Sequence, residues 1–215
     1  FGSRDYYIFA SAIPDITIDN RGLEEKNFND QRVYGGRAAL KIDLNENWTI
    51  TPAVMHQNLK ANGIFSYDPR IGDLKVDRLF PEIRKDKFTQ AALTVEGKIG
   101  NFDLTYAAAY LHRPTFTTSD YSDYADAYDQ LYAEYDGGSR VYGGLGYFYY
   151  LDGAGDYIDP RQRIEARDNF KKMSQEIRLA SPQDKPIRGI IGAFYQRQTN
   201  KIFQNYIIDN LAPEL

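Results

Sequence analysis

The sequence contains no cysteine. That excludes a disulfide scaffold and any thiolate-ligated metal site. Two histidines, His56 and His112, are too few for a His-rich metal centre. A basic excess is missing as well: 26 Lys and Arg stand against 30 Asp and Glu, a formal net charge of -4. Nucleic-acid binders usually carry the opposite balance, so none is expected as a partner. No run approaches the ~18 apolar residues of a membrane-spanning helix. No signal peptide opens the chain, which starts at Phe1 as though cut from something longer.

What is plentiful is tyrosine, 18 of 215 residues, yet mean hydropathy is only -0.57. A chain both aromatic and hydrophilic suits a transmembrane β-barrel. Its strands alternate lipid-facing and lumen-facing residues, so hydropathy averages out, and aromatics gather in girdles.

Alternation is clearest over 33–60. Tyr34, Gly36, Ala38, Leu40, Ile42 and Leu44 share one parity, and Arg37, Lys41 and Asp43 the other. Asn45-Glu46-Asn47 predicts a tight turn, after which Trp48, Ile50, Pro52 and Val54 continue the apolar side. Ala91, Leu93, Val95, Gly97 and Ile99 repeat the pattern against Gln90, Thr94, Glu96 and Lys98. Gly100-Asn101 is a two-residue hairpin signal. Leu104 and Tyr106 then oppose Asp103 and Thr105. A third hairpin runs from near Lys171 through a turn at 181–186 to a strand over 187–198, whose facing is ambiguous. Ile177 and Leu179 there oppose Glu176 and Arg178. With a strand over 6–13, seven are expected. Pro52 inside a strand lacks a ladder donor and predicts a bulge or break.

Short connections at 44–47, 100–101 and 181–186 alternate with long ones at 14–31, 61–86 and 114–168. That asymmetry belongs to an outer-membrane barrel. A soluble sandwich with one wet face is the competing reading. Seven strands do not make the usual even-numbered barrel, and about 31 residues per strand implies large loops. At that spacing a plugged 22-stranded barrel needs roughly 680 residues. The expectation is an all-β, antiparallel transmembrane β-barrel, of which residues 1–215 are one partial domain.

Arg32-Val33-Tyr34-Gly35-Gly36-Arg37-Ala38-Ala39-Leu40 with Asn47-Trp48-Thr49-Ile50-Thr51-Pro52 resembles the barrel of TonB-dependent outer-membrane receptors, of the iron-complex type. So does Ser174-Gln175-Glu176-Ile177-Arg178-Leu179-Ala180-Ser181 with Ile191-Gly192-Ala193-Phe194-Tyr195-Gln196. The likeness spans about residues 1 to 200. It implies transport of a scarce solute, such as a ferric siderophore or other metal chelate, and no enzyme activity. It also implies outer-membrane lipid as surroundings, and TonB with its inner-membrane energising complex as partner. The plug domain, TonB box and terminal aromatic strand of such receptors have no counterpart in these 215 residues. The alternative is a structural or adhesive barrel fragment whose aromatic loops bind a surface partner.

The loop 114–168 carries 11 acidic against 4 basic residues and 10 of the 18 tyrosines. Tyr121, Tyr124, Tyr128, Leu131 and Tyr135 repeat at 3-4-3-4 spacing, which predicts a helix over 119–136 with Ser119 as its cap. Its stripe either packs on the rim or forms a ligand lid, together with Tyr147, Tyr149 and Tyr150. Gly143-Gly144-Leu145-Gly146 lacks the context of a phosphate loop. The oxygens of 152–156 lack the ligand spacing of a calcium loop. Arg37, Lys41, Glu96, Lys98, Glu176 and Arg178 are expected to form the charged lumen wall. Solvated rim positions suit His56 and His112 better than metal ligation. No metal and no cofactor are expected.

Overall fold

The computed structural model describes residues 2–9, 15–124, 127 and 150–213. Twelve strands follow in chain order. Four are two-residue pieces near the N-terminus: β1 (Ser3–Arg4), β2 (Ile8–Phe9), β3 (Ile18–Asp19) and β4 (Glu25–Lys26). Then come β5 (Gln31–Ala39), β6 (Ile42–Asn45), β7 (Trp48–Asn62), the short β8 (Lys75–Val76), β9 (Ile83–Ile99), β10 (Phe102–Asp120), β11 (Gln162–Ala180) and β12 (Ile190–Ile208).

The main feature is a seven-stranded antiparallel sheet in the order β12-β11-β10-β9-β7-β5, with β6 also on β7. It is a meander, each long strand pairing with the next. It does not close, because β5 and β12 are its edges. The number seven agrees with the expectation, but the members differ. In the segment 6–13 only Ile8–Phe9 is strand, and it pairs with Ile18–Asp19 outside the sheet; 10–13 lie outside the described residues. The single strand expected over 33–44 is divided into β5 and β6.

Pro52 explains the division. Leu40 N–H donates to Pro52 C=O at 3.0 Å. An antiparallel pair of that type exchanges two bonds, and proline has no N–H for the second. Register is unbroken across the gap, Ala39 facing Ala53 and Ile42 facing Ile50. The expected break therefore falls on Pro52's neighbour, while β7 itself runs on. The bulge lies further along, between Asp43 and Asn45 at the hairpin.

The other strands outrun their expected limits. β9 starts at Ile83, β10 reaches Asp120, β11 starts at Gln162, and β12 extends to Ile208. The long connections shrink accordingly to 63–82 and 121–161. The last turn grows to 181–189, closed by Ser181 N–H to Gly189 C=O at 2.9 Å and Gly189 N–H to Ser181 Oγ at 2.8 Å. At 46–47 the Asn45 side chain accepts the Asn47 amide at 2.9 Å. At 100–101 only Gly100 has positive φ, 59°, which fits a turn with glycine leading. The row Trp48, Gly97, Leu104, Leu179, Ile191 crosses the sheet beside all three turns. All three hairpins thus lie at one end.

Directly paired residues share a face. One face carries Leu40, Ile42, Ile50, Val54, Leu93, Val95, Leu104 and Tyr106; the other carries Arg37, Lys41, Gln90, Thr94, Glu96 and Asp103. Register also decides the ambiguous strand: Ile191, Ala193 and Tyr195 lie on the apolar side. Trp48 lies across Gly97, directly opposite, where any Cβ would collide with the indole.

Both faces of the sheet are open, the apolar one included. Leu40 is 60% exposed, Ile177 45% and Ile191 73%. Among the described residues, the buried apolar side chains are Ile18, Phe28, Ala61, Val76, Leu79 and Ile158, and only Ala61 belongs to the wide sheet. The small core lies at the other end of the sheet from the hairpins, where the chain before β5 meets the long connections. Ile18 and Leu79 pack there with Phe9, Ile16 and Phe80.

Candidate functional site

The long-connection end holds the richest polar chemistry. β1 pairs with β4 and, in parallel, with β8, tying the N-terminal segment to the connection 63–82. Asn20, 1% exposed, locks this assembly. Its Oδ1 accepts the Tyr7 amide at 2.8 Å, and its Nδ2 donates to Asp5 C=O at 2.7 Å and Arg78 C=O at 3.4 Å. Arg161 reaches in from the third segment, donating to Asp19 C=O at 2.8 Å.

Asp120, the last residue of β10, is the hinge between sheet and connection. Its Oδ2 accepts the amides of Leu79 (2.6 Å) and Phe80 (3.3 Å), and its Oδ1 accepts that of Ser122 (3.0 Å). Residues 122–124 turn as helix, so the capping side chain is Asp120. Ser119, assigned that role from sequence, is inside β10. Beside it Arg78 pairs with Asp123 and approaches Glu82 at 3.9 Å. Burial raises the Glu82 carboxyl to about 7, despite the opposing pull of Arg78. Burial also raises Asp77, with Asp123 adding to the effect. The connection thus meets the sheet through a partly buried cluster of one cation and several carboxylates.

Tyr121 and Tyr124 stack with centroids 4.9 Å apart and planes at 18°. Tyr206 of β12 meets Tyr121 edge-on at 5.2 Å. Tyr121 therefore holds the root of the loop to the sheet. Tyr150 is half-buried, with its phenol pushed up by burial. Tyr128, Tyr135, Tyr147 and Tyr149, with most of the helix expected over 119–136, lie outside the described residues.

The turn 152–156 uses one carboxylate oxygen internally. Asp152 Oδ1 accepts the amides of Ala154 (2.8 Å) and Asp156 (3.0 Å), which hold its carboxyl below the ordinary range. His56 Nδ1 lies 2.8 Å from Thr89 Oγ1, and His112 Nε2 lies 3.1 Å from Asn169 Oδ1. Thr89 stands between the two histidines in their row. No three metal-ligating side chains come together among the described residues.

The expected wall residues share the polar face but divide into small groups. Lys41 is 4.0 Å from Asp43, which accepts the Thr49 hydroxyl at 2.6 Å. Glu176 pairs with Arg178 at 2.7 Å. Glu96 lies between Thr49 and Thr105, Lys98 opposite Asp103, and Arg37 opposite Met55. Sequence reasoning missed the strongest pair on this face. Arg113 makes a two-pronged contact with Asp86, 2.9 Å at Nε and 2.5 Å at Nη2. The partners are diagonal across two strands, so only register reveals them. Arg78, Glu82 and Asp120 were missed because they converge from separate segments; Tyr206 was missed because β12 was ended at 198, although β-favouring residues continue through Ile207-Ile208.

The arrangement offers a wetted, mixed-charge wall on one face, an apolar surface on the other, and a polar, aromatic cap at one end. No family model matches the chain, and neither the curated proteins nor the solved structures yield a match.

Proposed function

We propose that this chain is part of the wall of an outer-membrane β-barrel receptor that takes up a scarce solute, with a ferric chelate as the first candidate and TonB as the energising partner. The observation that carries this reading is the inversion of burial: the sheet's continuous apolar face is exposed, while burial is concentrated in a small core at the long-connection end. Soluble domains rarely leave apolar patches of more than a few hundred Å² open. Lipid is the medium in which such a face is at its lowest free energy, and an antiparallel meander is how strands cross it. The apolar side extends from the row of Ile99 and Phe102 to that of Val54 and Tyr110. Those eight residue steps cover roughly 27 Å at about 3.4 Å per residue, close to the hydrocarbon thickness of a bilayer. The resemblance of 32–40, 47–52, 174–181 and 191–196 to TonB-dependent receptors supplies the transport reading.

The test is uptake of radiolabelled ferric chelates by cells producing the protein, before and after collapse of the proton-motive force. Energy-dependent accumulation supports the proposal. A protein that inserts in the outer membrane, binds the cell's surroundings and accumulates nothing supports the adhesive alternative.

A further inference from the structure

We propose that the apolar face carries, directly beyond its hydrocarbon-length band, a belt that binds the phosphate head groups of anionic membrane lipids. The inference rests on the membrane reading above and adds a lipid class to it. It starts from register. One row crosses all six strand columns as Arg32, Lys60, Lys85, Phe116, Arg167 and Phe203. Four of its six positions are cations, and the other two are phenylalanines. The next row towards the band contains Tyr34, Lys87 and Lys201. The row after that contains Lys171, and Arg197 stands diagonally beside it, level with Val54 and Tyr110. No Asp or Glu occurs on this face in those three rows, in a chain whose net charge is -4.

The opposite face provides an internal comparison. At the same height it holds Arg113 and Arg84 with Asp86 and Asp168, and Asp86 pairs with both arginines. Charge there is balanced and satisfied. On the apolar face Lys60, Lys85, Lys87, Arg167, Lys171, Arg197 and Lys201 make no ion pair among the described residues; Arg32 alone has one, with Asp30 at 3.5 Å. Lys85 and Arg167 instead flank the Phe116 ring, at 5.6 and 5.4 Å from its centroid. Their stems cover apolar surface while the heads remain free for an external anion.

Where belt and band meet there is a hollow of about 270 Å³, lined by Tyr110, Lys171, Lys172, Met173, Arg197 and Thr199. Register puts Lys171 and Arg197 of these on the apolar face, and the composition suits one lipid: two cations and a hydroxyl for a phosphate, a tyrosine and a methionine for the start of an acyl chain. Charge complementarity therefore commits this surface to an anionic lipid rather than to a protein, for which a cationic stripe free of acidic residues above a bare hydrocarbon-length band has no evident use.

Lys85 and Arg84 allow a strict test, being adjacent in sequence with only Lys85 on the belt face. The chain is reconstituted into phosphatidylcholine vesicles containing spin-labelled phosphatidylglycerol or spin-labelled phosphatidylcholine. The protein-restricted fraction of each label is then measured. The expected result is a preference for phosphatidylglycerol that falls with salt. Each belt cation removed should lower it about fivefold, so Lys85→Gln weakens it and Lys85→Gln/Lys87→Gln/Lys171→Gln/Lys201→Gln abolishes it, while Arg84→Gln leaves it unchanged. Equal restriction of both labels would show an inserted protein without the belt's selectivity and overturn this proposal alone. Equal loss with Lys85→Gln and Arg84→Gln would also overturn it. No restricted component with either label would mean that the face does not meet lipid, which removes the membrane reading and the belt together.

Discussion

Asp120 and Glu82 show how much of the cap depends on single carboxylates. Asp120 accepts three backbone amides from two segments, and charge-assisted bonds of this kind are the stronger ones. Asp120→Ala leaves the amide of Leu79, a residue only 2% exposed, without its acceptor. The expected cost is about 1–3 kcal/mol, read as faster hydrogen exchange at Leu79 and Phe80 with the wide sheet unchanged. Glu82 makes a prediction about pH. Its carboxyl is raised from 4.5 to about 7, so between those values the folded chain holds a proton that the unfolded chain has released. Stability from this group is therefore greatest at the acid side of the window and falls as pH rises through about 7. Glu82→Gln should flatten the change in urea midpoint between pH 5 and pH 8. An unchanged slope would mean that the burial of Glu82 is not what the pH dependence reports.

At the scale of the strand, alternation is both the signal that was legible and the property to test. Val95 and Thr94 are neighbours in β9 on opposite faces. Val95→Arg should impair insertion into vesicles by roughly 2–4 kcal/mol, and Thr94→Arg should be tolerated. The reverse outcome would exchange the two faces. The parity of residues 34–44, 48–54, 91–99 and 102–110 could be read without coordinates because a strand's period is two and its faces differ in polarity. Strand ends were not legible for the same reason. Beyond Val54 and Tyr110 the apolar face turns basic, so residues such as Lys85, Arg167 and Lys201 look like loop while the backbone remains strand. Pro52 was recognised as a ladder defect, but which strand bears the defect depends on whether its nitrogen faces β5 or β9. That is a matter of register, as is the diagonal Asp86–Arg113 pair.

For the whole molecule, the two ends are built on different principles. The hairpin end is three turns, each closed by bonds within its own residues. The other end gathers the N-terminal segment and both long connections, and its contacts span large sequence separations, such as Arg161 to Asp19 and Asn20 to Arg78. No local pattern in the sequence announces such a cap, because its contacts join pieces far apart in the chain. Tyr121 stands at the junction, stacked on Tyr124 and edge-on to Tyr206 of the sheet. If the loop acts in uptake, Tyr121→Ala/Tyr124→Ala should lower the rate of ferric-chelate accumulation while insertion and heat resistance of the sheet remain as in the parent. If the stack serves packing alone, the same variant should show faster proteolysis between 121 and 161 with uptake unaltered. Measuring both in one preparation separates the two, since aromatic stacking of about 0.5–1.5 kcal/mol is enough to shift a loop equilibrium several-fold and too little to unfold an antiparallel sheet with strands of 15 to 19 residues from β7 to β12.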